Sequence, residues 1–490
     1  MILSCQNIEK AFLEKQVLKN CSFHIEDYEK AAIVGLNGAG KTTLLRIIVG
    51  QLEPDGGVVA FAKDKTFGYL AQDSAVNSDN TIYEELLSVK QHLLDLENQI
   101  RQAELSMKQL SGDALENLMQ KYADLTHRFE MENGYAYKSE LTGVLKGLGF
   151  TEDEFQKPVS TLSGGQKTRV ALGKLLLQKP DLIILDEPTN HLDMSSISWL
   201  ETYLLNYKGS VLIVSHDRYF LDRVVTRIIE LHDGKAEFYS GNYSFYVQEK
   251  QARFDLQLKQ YEKEQAKLGQ LGFTLERMKG WGINNRTLYR RAMSIQHRMD
   301  RIQKTDRPTQ EKTMRARFAQ REFFGDEVLS VKGLGKSFDG RTLFEDVELD
   351  VAGGERIALL GDNGTGKSTF LKVLLGELAP DCGKIKFGPT VKWAYLPQII
   401  HFDHPERTLL DTMLYEKGCS VQVARDRLGA YLFEGEDVFK PVSALSGGEQ
   451  SRLRLCMLMD EKINLLILDE PTNHLDIASR EWVEDALEDY

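Results

Sequence analysis

Cysteine is scarce in this chain of 490 residues: Cys5, Cys21, Cys382, Cys419 and Cys456 stand far apart, are odd in number and never form a C-x-x-C pair. That excludes a disulfide framework and a thiolate zinc site, and the five read as reduced, mostly buried thiols. Long apolar runs are missing too, since no stretch approaches the ~18 uncharged apolar residues of a membrane helix. The N-terminus Met1-Ile2-Leu3-Ser4-Cys5 lacks a basic region followed by an apolar core and a small-residue cleavage site, so the expected location is the cytoplasm. An excess of positive charge is also absent. The 61 Lys and Arg stand against 73 Asp and Glu, a net −12 that on an even surface would discourage nucleic acid.

The charge is not even. Between positions 277 and 321 thirteen Lys and Arg face three acids, so that segment carries +10 and the remainder −22. The length itself allows about three domain-sized units.

The sequence repeats. Gly35-Leu36-Asn37-Gly38-Ala39-Gly40-Lys41-Thr42 returns 326 residues later as Gly361-Asp362-Asn363-Gly364-Thr365-Gly366-Lys367-Ser368, and Gln72 as Gln398. Leu-Ser163-Gly164-Gly165-Gln166 returns as Leu-Ser446-Gly447-Gly448-Glu449, at an offset of 283. Leu-Asp186-Glu187-Pro-Thr-Asn-His-Leu-Asp193 returns at the same offset, with Asp469 and Glu470 in the acidic positions. The first copy therefore holds 43 extra residues between Gln72 and Ser163. Positions 88–131 have Leu and Ile at helical spacing and a Ser111-Gly112-Asp113 break, which predicts a projecting helical hairpin or an enlarged helical subdomain on its own domain.

Each motif has a chemical reason. A glycine-rich turn between an apolar strand and a helix surrounds phosphates with backbone N–H groups, Lys41 or Lys367 adds a cation, and the Thr42 or Ser368 hydroxyl can ligate magnesium. Two apolar strands end in Asp186 and Asp469, placed to hold magnesium directly or through water, with Glu187 and Glu470 next to orient and polarise an attacking water. The bland reading has these acids merely capping strand ends. Ser163-Gly164-Gly165 and Ser446-Gly447-Gly448 open helices, offering free N–H groups and a hydroxyl to a second anion.

In this order the residues closely resemble the ATP-binding-cassette superfamily, in which the signature of one cassette closes over the nucleotide on the P-loop of the other. The resemblance implies one site from Gly35 to Thr43, Gln72, Asp186 and Glu187 with Ser446, Gly447, Gly448 and Glu449. A second site joins Gly361 to Ser368, Thr369, Gln398, Asp469 and Glu470 with Ser163, Gly164, Gly165 and Gln166. Magnesium would use Thr42, Gln72 and Asp186, or Ser368, Gln398 and Asp469. Phe12 and Phe338, each 29 residues before its lysine, are the adenine platforms or else core residues. His216 is the switch histidine. Its counterpart falls near position 499, past Tyr490, so the second cassette is expected to be incomplete, with impaired hydrolysis.

The Asn-His-Leu-Asp extensions, the missing membrane domain and the charged helical linker resemble the ABC-F proteins, translation factors and ribosome-protection proteins of the ribosomal E site that influence P-site tRNA. The expected fold is α/β, two cassettes in tandem: 1–247 with an arm at about 88–131, a basic helical hairpin at 248–327, and an incomplete cassette at 328–490. The linker tip carries Trp281 for stacking and Asn284 and Asn285 for hydrogen bonds, while Arg286, Arg290, Arg291, Arg298 and Arg301 suit rRNA or tRNA phosphates. A solvated spacer is the alternative, although such coils usually balance their charges. Expected ligands are ATP and Mg2+, and paired cassettes in one chain imply a monomer. Two rivals are an ATPase subunit serving a separate membrane transporter and a DNA-repair ATPase. The second would carry C-x-x-C inserts or a far longer coiled coil, and neither is present.

Overall fold

Short, continuously apolar runs suit parallel strands covered on both faces, and the computed structural model puts them there. The structure describes residues 1–12, 15–71, 78–281, 286–300, 314, 327–338, 340–459, 463–472, 475–488 and 490. In the first cassette Leu182–Asp186 and Ser210–Val214 are buried at every position and pair in parallel, Asp186 opposite Val214. Lys30–Val34 lies between Ser210–Val214 and Arg227–His232, parallel to both. The full sheet runs Phe67–Leu70, Leu182–Asp186, Ser210–Val214, Lys30–Val34, Arg227–His232, Lys235–Tyr239. An antiparallel sheet of Lys15–Ile25, Leu3–Phe12 and Gly56–Phe61 stands beside it. Ile33, Leu44, Leu45, Ile184, Leu212 and Ile229 form one fully buried core, to which both Cys5 and Cys21 belong.

The extra residues of the first cassette make helices Gln91–Met107 and Asp113–Met131, with Gly112 in the left-handed region (φ 66°) where the chain turns back. Leu93, Leu96, Phe129 and Tyr137 form a small core at their base. Leu105, Leu110 and Met119 remain exposed.

In the second cassette Glu327–Phe338 pairs with Arg341–Ala352 and Cys382–Phe387, and Trp393–Leu396 pairs in parallel with Leu465–Leu468. The expected strand before the second glycine loop does not form. Residues 356–360 carry no strand, and Ile357, Leu359 and Leu360 are exposed. The equivalent Lys30–Val34 takes its ladder bonds from strands on both sides. Without such neighbours among the described residues, a central strand has nothing to complete it.

Residues Tyr239–Lys312 form a separate unit. Helix Tyr243–Trp281 and helix Arg286–Asp300 pack on each other, with Leu275 on the first and Ala292 on the second buried. Trp281 closes the first and Arg286 opens the second, while Asn284, Asn285 and Arg301 lie outside the described residues. Arg290, Arg291 and Arg298 are exposed. No helix among the described residues is long and apolar enough to cross a membrane.

Candidate functional site

The chain leaves the central strand at Gly35, where any Cβ would come within 2.6 Å of the Leu231 carbonyl oxygen, so only glycine fits. It enters helix Lys41–Ile48 through Gly40 (φ 97°), a left-handed residue without a side-chain cap. The first N–H groups of the helix are thus left for an anion. Lys41 is buried, and its ammonium donates to the carbonyls of Gly35 (2.7 Å) and Leu36 (3.0 Å). Burial lowers its pKa, against the pull of Glu187, Asp476 and Asp186.

Glu187 follows the strand of Asp186 in the left-handed region (φ 52°), its N–H donating to the Val214 carbonyl at 2.8 Å. Glu470 repeats that conformation at φ 51°. A non-glycine residue held there stores strain, which clusters at functional positions. Glu187 Oε2 accepts from the backbone N–H of His216 at 3.2 Å. Its buried Oε1 makes no hydrogen bond, with His216 Nε2 lying 3.5 Å away. Burial pushes the Glu187 carboxyl up to about 7, and burial drives His216 down to about 3.

These groups share a cavity of about 440 Å3 with the signature of the other cassette. Asn37, Gly38, Gly40, Lys41, Thr42, Thr43, Asp186, Glu187, His216 and Phe12 line it from the first cassette, and Ser446, Gly447 and Gly448 from the second. Ser446 opens helix Gly447–Met459 with its hydroxyl and N–H both donating to Glu449 Oε2 at 2.8 Å. Ser163 and Gln166 make the matching box at helix Gly164–Gln178. Gln72 lies outside the described residues.

Around the second glycine loop, Lys367 likewise donates to the carbonyls of Gly361 (2.6 Å) and Asp362 (2.8 Å). Gly366 (φ 101°) precedes helix Lys367–Leu374, which opens with Ser368 and Thr369. Gln398 Nε2 donates to Glu470 Oε2 at 2.6 Å, joining two of the expected residues, and Asp469 is buried beside them in sequence. Asn363 Nδ2 donates to the His191 carbonyl of the first cassette at 2.9 Å. His191 itself packs against Gly165 of the first signature. Phe338, 45% exposed, lies under Lys336 at 5.3 Å, as Phe12 lies under Lys10 at 5.9 Å.

Val17 and Arg480 line the cavity without having been singled out in the sequence, while Asn190 stood there only within its Asn-His-Leu-Asp motif. Asp476, quoted only as part of a motif, approaches the P-loop, with Asn37 N 3.4 Å from its Oδ2. Among the described residues no three His, Cys, Asp or Glu side chains converge on one point. Magnesium at Thr42 and Asp186 would therefore depend on substrate oxygens and water, as this ion commonly does. The donors fit: a hydroxyl, a buried carboxylate and a loop of N–H groups beside a buried lysine.

A sequence-family description, ABC transporter, matches residues 18–190 and 344–473, and a second with the same description matches 229–318. A putative ATP-binding protein, YdiF of Bacillus subtilis, is 43% identical over 493 residues, covering all of this chain and 76% of that one. ABC transporter F family member 5 of Arabidopsis thaliana is 36% identical, across 99% of this chain and 71% of its own length. The energy-dependent translational throttle protein EttA of Mycobacterium tuberculosis is 34% identical, across 99% and 86% respectively.

Proposed function

The chain belongs to the ABC-F family of ATP-binding-cassette proteins, and from that premise we propose that it is a cytoplasmic, monomeric ATPase that binds the ribosome at the E site and acts through its linker on P-site tRNA. The observation that carries the reading is the single cavity lined by the first P-loop and the second signature. Such a site is complete only when the two cassettes meet, so ATP binds the closed pair better than the open one, and that difference is what drives a switch.

Within the first site, the Gly35 to Thr43 loop and Lys41 hold the phosphates, Phe12 carries the base, and Ser446, Gly447 and Gly448 close over the far side. Glu187 orients the attacking water, and His216 senses the terminal phosphate. Thr42 and Asp186, with Gln72, would hold magnesium, which when bound neutralises charge on the phosphates. Lys367, Ser368, Gln398, Asp469, Glu470 and Phe338 take the same roles in the second site, with Ser163, Gly164 and Gly165 opposite. Domain limits of 1–247, 248–327 and 328–490 accompany this reading.

The RNA-facing part rests on the basic linker, whose Arg290, Arg291 and Arg298 are exposed, and on likeness to a protein named for throttling translation. The test is co-sedimentation of the Glu187→Gln, Glu470→Gln variant with ribosomes on a sucrose gradient, with and without ATP. Migration with ribosomes only when ATP is present is expected. No migration, or migration indifferent to ATP, would leave the ATPase standing and remove the ribosome from the reading.

A further inference from the structure

Besides Lys41, the first-site cavity holds a cation that neither P-loop nor signature supplies. Arg480 stands in the first turn of helix Ile477–Glu488, in the second cassette, yet lines the cavity together with Lys41, Glu187 and His216. It has no twin, because the position 283 residues earlier is Ile197. The two helices are otherwise built alike: Asp476 Oδ1 accepts from Ser479 N at 2.9 Å, and Asp193 Oδ1 accepts from Ser196 N at 2.8 Å.

Arg480 is tied to the two residues that precede its own helix. Its backbone N–H donates to the Asp476 carbonyl at 2.9 Å, and its Nε donates to the Leu475 carbonyl at 3.1 Å. Asp476 in turn faces Asn37 N. Burial lowers the pKa of the Arg480 guanidinium, against the pull of Glu187 and Asp217 of the first cassette and of Glu484 and Asp476 of the second. Glu187 has one oxygen anchored by His216 N and a second, buried oxygen that makes no hydrogen bond. A single anchor leaves a carboxylate free to turn about its last bond, and a planar, permanently charged guanidinium is suited to stop that turning.

We propose that Arg480 is a positioning residue for hydrolysis at the first site, reaching across the cassette boundary to hold Glu187 in its working orientation. The second cassette thereby contributes to the first site both the signature that grips nucleotide and a group that licenses turnover. Ile197 supplies no such group to the second site, so the two sites are made unequal by the helix that follows each Asn-His-Leu-Asp segment. The inference rests on the cavity being an ATP site in which Glu187 orients the water.

The experiment measures steady-state phosphate release in a Glu470→Gln background, where turnover comes from the first site. Arg480→Met should lower kcat roughly tenfold to a hundredfold, the cost of a misplaced catalytic group, with the ATP KM within about twofold of the parent. Arg480→Lys keeps the charge but not the planar fork and should restore part of the loss, which a folding defect would not predict. Added to Glu187→Gln, Arg480→Met should cost nothing further, since the two act as one unit. An unchanged kcat for Arg480→Met, a rise in KM alone, or a full additional loss on top of Glu187→Gln would each overturn the proposal. Lys41→Ala and Glu187→Gln test the underlying reading separately. If they leave turnover intact, the cavity is not the ATP site; if they abolish it while Arg480→Met does not, only the role of Arg480 falls.

Discussion

Asp476 Oδ2 lies 3.4 Å from the backbone nitrogen of Asn37, joining positions 439 residues apart in the chain. The same carboxylate caps its own helix through Ser479 N at 2.9 Å. Burial on its own would raise its pKa, but the bonds from Ser479 and Asn37 outweigh it and hold the group ionised, below the usual carboxylate range. One side chain thus starts a helix in one cassette and touches the phosphate loop of the other.

The two roles separate by substitution. Asparagine can still accept from Ser479 N, but an amide nitrogen cannot accept from Asn37 N. Asp476→Asn should therefore melt close to the parent while raising the ATP KM of the first site. Asp476→Ala should lose both, with about 1 kcal/mol of helix-cap stability gone as well. Calorimetry and ATP titration together decide it, and an Asp476→Asn protein with parental KM would remove the P-loop contact from the mechanism.

A second bridge crosses the same boundary. Arg218, which follows His216 and Asp217, pairs with Glu484 at 2.5 Å and Glu481 at 3.4 Å. All three side chains are partly exposed, so the pair contributes only about 0–1 kcal/mol to folding, and Arg218→Glu should leave the melting temperature nearly unchanged. Turnover is the more sensitive readout, because the reversal sets like charges together where the cassettes meet. Arg218→Glu should slow ATP hydrolysis at low salt, and Glu484→Arg in the same chain should recover it. Failure of the double variant to recover would show that the bridge does not guide closure.

The order of the motifs carried the family resemblance that implied a site shared between cassettes, and the first P-loop and the second signature do line one cavity. Residue type and spacing made the P-loops, signatures and acids themselves legible. The turn at Gly112 was legible for the same reason, being local. Arg480 was not. An arginine on an amphipathic helix looks like any solvated charge until the fold places it in one cavity with a carboxylate from the other cassette. Residues 356–360 failed in the opposite direction: their apolar pattern reads as a strand, but a parallel strand exists only through its neighbours. Local pattern is informative where the chain closes its own hydrogen bonds, and less so where a distant segment must supply them.

The linker gives a prediction that does not depend on nucleotide. Arg290, Arg291 and Arg298 are exposed on helix Arg286–Asp300. If they meet phosphates, changing all three to alanine should weaken association with ribosomal RNA and flatten its dependence on salt, by about one unit of slope per lost contact. ATP binding should stay the same. An unchanged salt slope, measured by filter binding across a salt series, would return this helix to the role of spacer.

The buried acid of the first site makes a prediction about stability in nucleotide-free, magnesium-free protein. An unfolded glutamate titrates near ~4.3, whereas burial pushes Glu187 up to about 7. Between those values the folded chain binds more protons than the unfolded one, so stability falls as pH rises through the window and stays reduced above it. The loss is on the order of 3 kcal/mol at pH 8, at about 1.4 kcal/mol per pKa unit. A glutamine amide cannot ionise, so Glu187→Gln should melt near the parent at pH 4.5 and several degrees above it at pH 8. His216 works the other way: held down at about 3 by burial, it contributes stability that is present above ~6.5 and lost as pH falls toward its folded value. Both proteins retain that histidine, so its effect largely cancels in their difference. Parallel melting curves at the two pH values would mean that Glu187 is already ionised in the empty site, leaving no ionisation cost for nucleotide or the second cassette to relieve.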